Sequence, residues 1–343
     1  MPARPEPLPR SQPEPQPESL PAFESLDRLA TVEMRPPTSP SGIVGPFYDL
    51  ARGDGPPLTY RIAAALLARR GTPTLIVTGL VDTVRFPHGE IDGPIGSLAL
   101  ARCLSLLGSE VTVAIDQEAR TPVQAILEQA GLASSVRVHV ASFADADAAR
   151  GFADGFDTVV AVEKLGRNSL GGRHLIWGTP VDVGDPFADE YVLAATERGA
   201  LTVAVGDNGN EIGFGAIASA AAPLTPPGVR VDGGFFAATA VDHLLPASVS
   251  NLGCYAVAAA LAILADDADL ALPGATVRRW TELGLAAGLR SGGVDDPAFQ
   301  GDDGVPLRYV AAHAELLAGV VHQALLDRPR IEALRESVGR VPA

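Results

Sequence analysis

The chain has 343 residues and a formal net charge of -15, with 41 Asp and Glu against 26 Lys and Arg. That length leaves room for a large buried core. The acidic balance, with no Lys/Arg cluster, excludes a general nucleic-acid binder, which needs a basic face against phosphate.

Twelve of the 29 prolines fall in the first 46 residues, where Pro-Glu and Pro-Gln repeats offer almost nothing to bury. Residues 1–46 therefore read as a Pro-rich extended or disordered tail. The segment has neither the apolar stretch of a signal peptide nor the acid-poor character of a transit peptide, and a cytoplasmic location is expected. No apolar run reaches the ~18–20 residues of a bilayer span, so no membrane association is expected. Two cysteines, Cys103 and Cys254, sit in Ala/Leu/Val-rich surroundings without metal or redox spacing and read as buried small hydrophobes.

A short helix is expected over 22–34 and an amphipathic one over Leu58–Arg70. From residue 73 short apolar runs alternate with helical stretches. Strands are predicted at Thr74–Thr78, Glu110–Ile115, Val136–Val140, Thr158–Val162 and Leu201–Val205, and helices at Ile95–Leu107, Pro122–Ala130 and Asp185–Arg198. This alternation predicts an α/β fold, a Rossmann-like doubly wound, mostly parallel sheet with helices on both faces. Residues 217–247 read as loops with short strands. Additional C-terminal helices are expected over Val249–Leu264, Thr276–Leu289 and Leu307–Leu326, so that 47–330 forms one α/β domain and 331–343 a C-terminal tail.

The ends of the predicted strands are acidic. The first leads to Asp82, Glu90 and Asp92, the second ends at Asp116, the fourth at Glu163 and the fifth at Gly206-Asp207. In a parallel sheet these ends share one edge, so carboxylates would converge there. Converging acids suit a metal site or an acid/base pair whose proton affinities are pushed apart. Glu90, Asp116, Asp207 and Glu211 are the candidate ligands of a divalent metal; no His/Cys spacing requires one.

The stretch LTVAVGDNGNEIGFGA, 201–216, reads as a strand opening into a glycine elbow that presents Asp207, Asn208, Asn210 and Glu211, with Gly209 permitting close approach of a ligand. GEIDGPIG, 89–96, predicts a helix start capped at Asp92 or Gly93, whose amides through Gly96 would receive an anion. It is not a G-x-G-x-x-G fingerprint, and no Walker A pattern is present. Arg167 and Arg173 offer bidentate forks for a carboxylate, and His174 is the best-placed histidine for proton donation. Ser248 or Ser250 would cap the following helix, with Asn251 either inside that cap or reaching a bound carboxylate.

The motifs EIDGPIG, VEKLGRN, VAVGDNGNEIGFG and SVSNLGCYA, in this order over about residues 60 to 325, resemble the C-terminal catalytic-type domain of the D-glutamate cyclase family. In that family the third motif reads close to G-D-G-G-N-E-x-G-M-G and the second close to E-x-P-G-R. Here Asn208 stands for a glycine, Phe214 for the methionine and Leu165 for the proline, while Glu163, Arg167, Asp207, Asn210 and Glu211 match. The resemblance implies conversion of D-glutamate, or a related acidic amino acid, to 5-oxo-D-proline with loss of water. It also implies, in full-length members, an additional hydro-lyase-like N-terminal region outside the matched motifs. Glu163, Asp207 and Glu211 are expected to be catalytic, with Asp92, Gly93, Gly96, Arg167, Asn208, Gly209, Asn210, Ser250 and Asn251 around a small amino-acid substrate. A homo-oligomer is one open option for the quaternary state. The alternatives are a non-catalytic module that senses an acidic metabolite, a biosynthetic enzyme on another substrate, and, last, a nucleotide- or S-adenosylmethionine-dependent enzyme.

Overall fold

The computed structural model describes residues 20–338. Its centre is a six-stranded, all-parallel sheet formed by β1 (Thr74–Thr78), β2 (Val111–Ile115), β3 (Val136–Val140), β4 (Thr158–Val162), β5 (Leu201–Gly206) and β6 (His243–Pro246), in spatial order β3-β2-β1-β4-β5-β6. The chain folds as the alternation predicts, a doubly wound α/β domain. Strands β1, β2, β4 and β5 are buried along their whole length, as near-continuous Val/Ile/Ala runs must be when both faces are covered. Neighbours along a strand point to opposite faces: Ile76, Val160 and Val203 join one hydrophobic layer, and Leu75, Val77, Ala161 and Ala204 the other.

The first layer is roofed by α1 (Leu20–Ala30), α3 (Leu58–Ala68), α4 (Pro94–Leu106), α5 (Arg120–Gln129), α9 (Ser250–Ala265), α10 (Gly274–Ala286) and α11 (Leu307–Val338). The second is roofed by α2 (Val44–Arg52), α6 (Ala146–Ala153), α7 (Ala188–Glu197) and the short α8 (Ala218–Ala221). A small hairpin, β7 (Gly301–Asp302) with β8 (Val305–Pro306), precedes α11. Helix α9 is buried on every side from Ser250 to Ile263, which its Ala-rich composition allows because small side chains admit close helix neighbours.

The first 19 residues lie outside the described ones, but 20–46 is not a loose tail. Phe23, Leu26 and Ala30 of α1 are fully buried, and the Asp27 carboxylate accepts the Leu58 and Thr59 amides at 2.7 and 3.0 Å, capping α3. Apolar residues spaced along one helix face outweigh the surrounding prolines. Leu307–Leu326 has the length and mean hydropathy (1.2) of a membrane span. One third of it is buried: Val310, Ala314, Leu317 and Val321 pack into the core, while Tyr309, Leu316 and Leu326 are exposed.

The strand order reverses between β1 and β4, which opens a crevice at their carboxyl ends, the usual ligand position in open α/β sheets.

Candidate active site

Four segments meet at that crevice. The first is the elbow after β5. The Glu211 carboxylate accepts the amides of Asn208 (3.1 Å) and Gly209 (2.7 Å) and so holds the turn closed from below. Gly209 has φ +107, and a Cβ there would stand 2.7 Å from the Phe236 ring, so glycine is required.

The second segment follows β4. Glu163 has φ 44, in the left-handed region that non-glycine residues rarely occupy. Its amide donates to Val205 O at 3.1 Å, and its Oε2 accepts the Ser250 hydroxyl at 2.6 Å. A Cβ on Gly93 would lie 2.8 Å from the Glu163 Cβ, which explains the glycine there.

The third segment joins two helix starts. Asp92 Oδ1 accepts the amides of Asn251 (2.7 Å) and Gly93 (2.9 Å), and its Oδ2 that of Ser250 (2.9 Å). In return Asn251 Oδ1 accepts the amides of Gly93 (3.0 Å) and Gly96 (2.5 Å). Each helix, α4 and α9, is thus capped by a side chain from the start of the other: Asn251 in the first turn of α9, and Asp92 just before α4. The α4 amides expected to receive a substrate anion are already taken by Asn251, whose Nδ2 donates to Ile91 O and Asp302 Oδ2.

The fourth segment, missed from sequence, is the strap between α1 and α2. Arg35, with a 2% exposed side chain, donates from Nη1 to Asp207 Oδ2 (2.7 Å) and Asn208 Oδ1 (2.8 Å), with Asp303 at 3.4 Å. No local signal marks an arginine 172 positions before its partner in a proline-rich stretch. Asp302 and Asp303, at the hairpin turn, carried a readable sign in their adjacent acids before a glycine.

These segments, with further stretches around Phe86, Trp177 and Arg290, line a cavity of about 880 Å³. Carboxylate oxygens of Asp92, Glu163 and Asp207 lie within 4.8 Å of one another at its floor, where Glu90 and Asp303 also face it. Burial pushes Asp92 up to about 7, even against its three backbone donors. Burial, and then the neighbouring acids, lift Glu90 and Glu163 well above the usual carboxylate range. Asp207 is lifted by burial and by Glu163, while Arg35 pulls it down. Burial and the closeness of the acids to one another thus raise the proton affinity of the whole cluster.

Of the residues expected around the substrate, Asp92, Asn208 and Asn210 line the cavity, whereas Gly93, Gly96, Gly209, Ser250 and Asn251 stand behind it and shape it. Arg167 does not line it: its guanidinium reaches Glu190 at 2.5 Å and Asp189 at 3.4 Å. Arg173 donates to Asp185 O, and both ring nitrogens of His174 lie 2.9 Å from backbone carbonyls, so neither faces the cavity. Asn210 Nδ2 donates to His174 O at 2.7 Å.

The three acids that converge differ from the expected metal set. Glu90 lines the cavity, but Asp116 is paired with the chain's single lysine, Lys164, at 2.7 Å and accepts the Asp185 amide. The Glu211 oxygens are occupied by the elbow. Asp92, Glu163 and Asp207 are the residues placed to hold a divalent cation, and the buried Asp207 Oδ1 has no hydrogen-bond partner among the described residues.

A doubly wound sheet with an acid-lined cavity at its switch point defines an α/β protein with a candidate ligand site at the strand ends. Residues 48–328 match the family model described as D-glutamate cyclase-like, C-terminal, and the chain belongs to that family. It is 30% identical over 227 residues to the mitochondrial D-glutamate cyclase of Homo sapiens, a match covering 59% of this chain and 35% of that protein. The match thus spans about a third of the length of that relative. A crystal structure of RecJ in complex with Mn2+ from Thermus thermophilus aligns over 94% of this chain and 46% of that one, at 15% identity and a TM-score of 0.31, a likeness too slight to bear on function.

Proposed function

We propose that the chain is a D-glutamate cyclase-like hydro-lyase, a carbon–oxygen lyase that closes D-glutamate, or a related acidic amino acid, to 5-oxo-D-proline and water. The observation that carries this reading is the trio of buried carboxyls, Asp92, Glu163 and Asp207, at the floor of one cavity with a guanidinium on Asp207 alone.

Lactam formation needs an uncharged amine and a carboxyl that can lose an oxygen, and neither group is in that state at pH 7. Two acids of unlike protonation supply the difference. Asp207, the one acid of the trio that Arg35 pulls toward its charged form, accepts a proton from the substrate ammonium. The nitrogen then attacks the side-chain carboxyl carbon and forms the N–C bond. Glu163, kept protonated by burial and held by Ser250, delivers its proton to the departing oxygen and takes the second proton from the nitrogen, while Asp207 returns the first to that oxygen, which leaves as water with cleavage of the C–O bond. Asn208 turns its Oδ1 to Arg35, so its Nδ2 is the group to donate to the developing oxyanion; the elbow amides of Asn208 and Gly209 are occupied by Glu211. Glu211 is accordingly a positioning residue. A divalent cation on Asp92, Glu163 and Asp207 would polarise the same carboxyl as a Lewis acid, and undiminished turnover after chelation and dialysis would set that version aside.

Incubation of the purified chain with D- and L-glutamate, followed by chromatography of 5-oxoproline, is the direct test. Glu163→Gln and Asp207→Asn should each lower turnover about 10²-fold or more. Unchanged rates in both would discard the assignment, and tight binding of glutamate without any turnover would favour a sensing module. The same reading has the chain act in the cytoplasm, which fractionation of a tagged copy checks.

A further inference from the structure

We infer that the preferred substrate is larger than a free amino acid: a glutamyl dipeptide with a free amine, its α-carboxyl joined to an apolar second residue. This rests on the proposed cyclisation and refines its substrate class.

Cyclisation uses two of glutamate's three functional groups. The amine becomes the lactam nitrogen, and the side-chain carboxyl loses its oxygen. Only the α-carboxyl is left to carry an extension without blocking the chemistry.

The cavity has room for one. Cavities of roughly 300–1,000 Å³ enclose drug-sized ligands, and this one holds about 880 Å³, so free glutamate would leave most of it to water. The floor also disfavours a free α-carboxylate. Glu90, Asp92, Glu163, Asp207 and Asp303 face it, and the buried cation among them, Arg35, gives Nη1 to Asp207 and Asn208 and Nη2 to Pro40 O, which leaves its Nε alone without a partner among the described residues. A further buried negative charge among them would raise their proton affinities again, at a cost in free energy. An amide at that position brings none.

The remaining walls suit the second residue. Phe86, Leu165 and Leu175 form a separate small hydrophobic cluster along one side. Val84, 85% exposed, and Trp177, 52% exposed, line the same cavity and are open to solvent. Exposed large apolar groups gathered at a cavity are characteristic of binding surfaces, and a tryptophan face suits an aromatic or aliphatic side chain. Arg85 and Arg290 line the same cavity, and Arg290 donates to the carbonyl of its neighbour Leu289. They are placed to take the dipeptide's terminal carboxylate. The step balances without a co-reactant: the N–C bond forms, the C–O bond breaks, and two ammonium protons leave with one carboxylate oxygen as water, giving a 5-oxoprolyl amino acid.

The test compares kcat/KM for D- and L-glutamate with D- and L-glutamyl-L-phenylalanine, following the 5-oxoproline or 5-oxoprolyl product. The expected result is at least a tenfold preference for one glutamyl-phenylalanine over free glutamate, in keeping with the worth of an apolar group in its own pocket. The ratio of the two should fall about tenfold in Trp177→Ala, and likewise in Val84→Asp, which alters an exposed position outside the core. Glutamate turned over as well as either dipeptide, or a ratio unmoved in both variants, overturns the inference. If the chain cyclises none of these compounds, the proposed reaction has failed on its own. Titration calorimetry with glutamate and glutamyl-phenylalanine then decides the occupant: tenfold tighter dipeptide binding upholds it, and equal or weaker binding overturns it.

Discussion

Among the described residues, Arg35 is the one guanidinium that reaches the trio of acids, and its bond to Asp207 is what distinguishes three otherwise similar buried carboxyls. Replacing it by methionine removes the pull that keeps Asp207 ionisable. The carboxyl then holds its proton to higher pH. Arg35→Met should therefore lower turnover at pH 7 and move the acidic limb of the pH–rate profile upward, with Arg35→Lys restoring most of the shift. A profile that stays in place while the rate falls would make the contact purely structural. A second consequence concerns stability. Asp92 rises from its ordinary 3.8 to about 7 in the folded chain, so the native state binds its proton more tightly than the unfolded state does. That contribution is complete below pH 3.8 and fades as pH rises through 7. Melting temperature should accordingly fall between about pH 4 and 7, with a shallower slope in Asp92→Asn.

At the scale of elements, the junction of α4 with α9 determines whether the floor exists. Asn251 caps α4 while Asp92 caps α9, and Gly96 lets the helices touch, since a Cβ there would meet the Asn251 Cα at 2.7 Å. Loss of a helix cap costs about 0.5–2 kcal/mol, and Asn251→Ala removes the α4 cap together with the anchor on Asp302. The expected loss is about 2–4 kcal/mol, read by chemical denaturation. Gly96→Ala should cost ~1–3 kcal/mol through overpacking against backbone. Other elements were unequally visible in the sequence. Strands β1 to β5 announce themselves as short apolar runs between breakers. HLLP of β6 is too short for a period and becomes a strand only by pairing with β5 from Val203 to Gly206. Helices α2 and α6 are likewise short, and α6 shows itself mainly through Asp145, whose side chain accepts the Ala148 amide.

Across the whole molecule, the strap and α1 lie before the family-matched residues 48–328 yet contribute Arg35 to the floor and Phe23 and Leu26 to the core. Thr38 Oγ1 also donates to Gly293 O, tying the strap to the segment that ends at the acidic hairpin. A truncation starting at residue 48 should lose cooperative unfolding and turnover together, whereas one starting at residue 20 should retain both. Circular dichroism melts and the product assay distinguish these outcomes.

What the sequence determined by itself was the alternation of strands and helices, the parallel sheet, and the acidic strand ends that any such sheet must bring to one edge. Those follow from local patterning and from the geometry of parallel strands. Only the tertiary structure decided which acids meet: Lys164 draws Asp116 away, the elbow consumes Glu211, and Asp189 with Glu190 hold Arg167 outside the cavity. It also brought Arg35 to Asp207. Hydrogen bonds and ion pairs form between side chains adjacent in space, and nothing in local composition encodes which distant residue will be that neighbour.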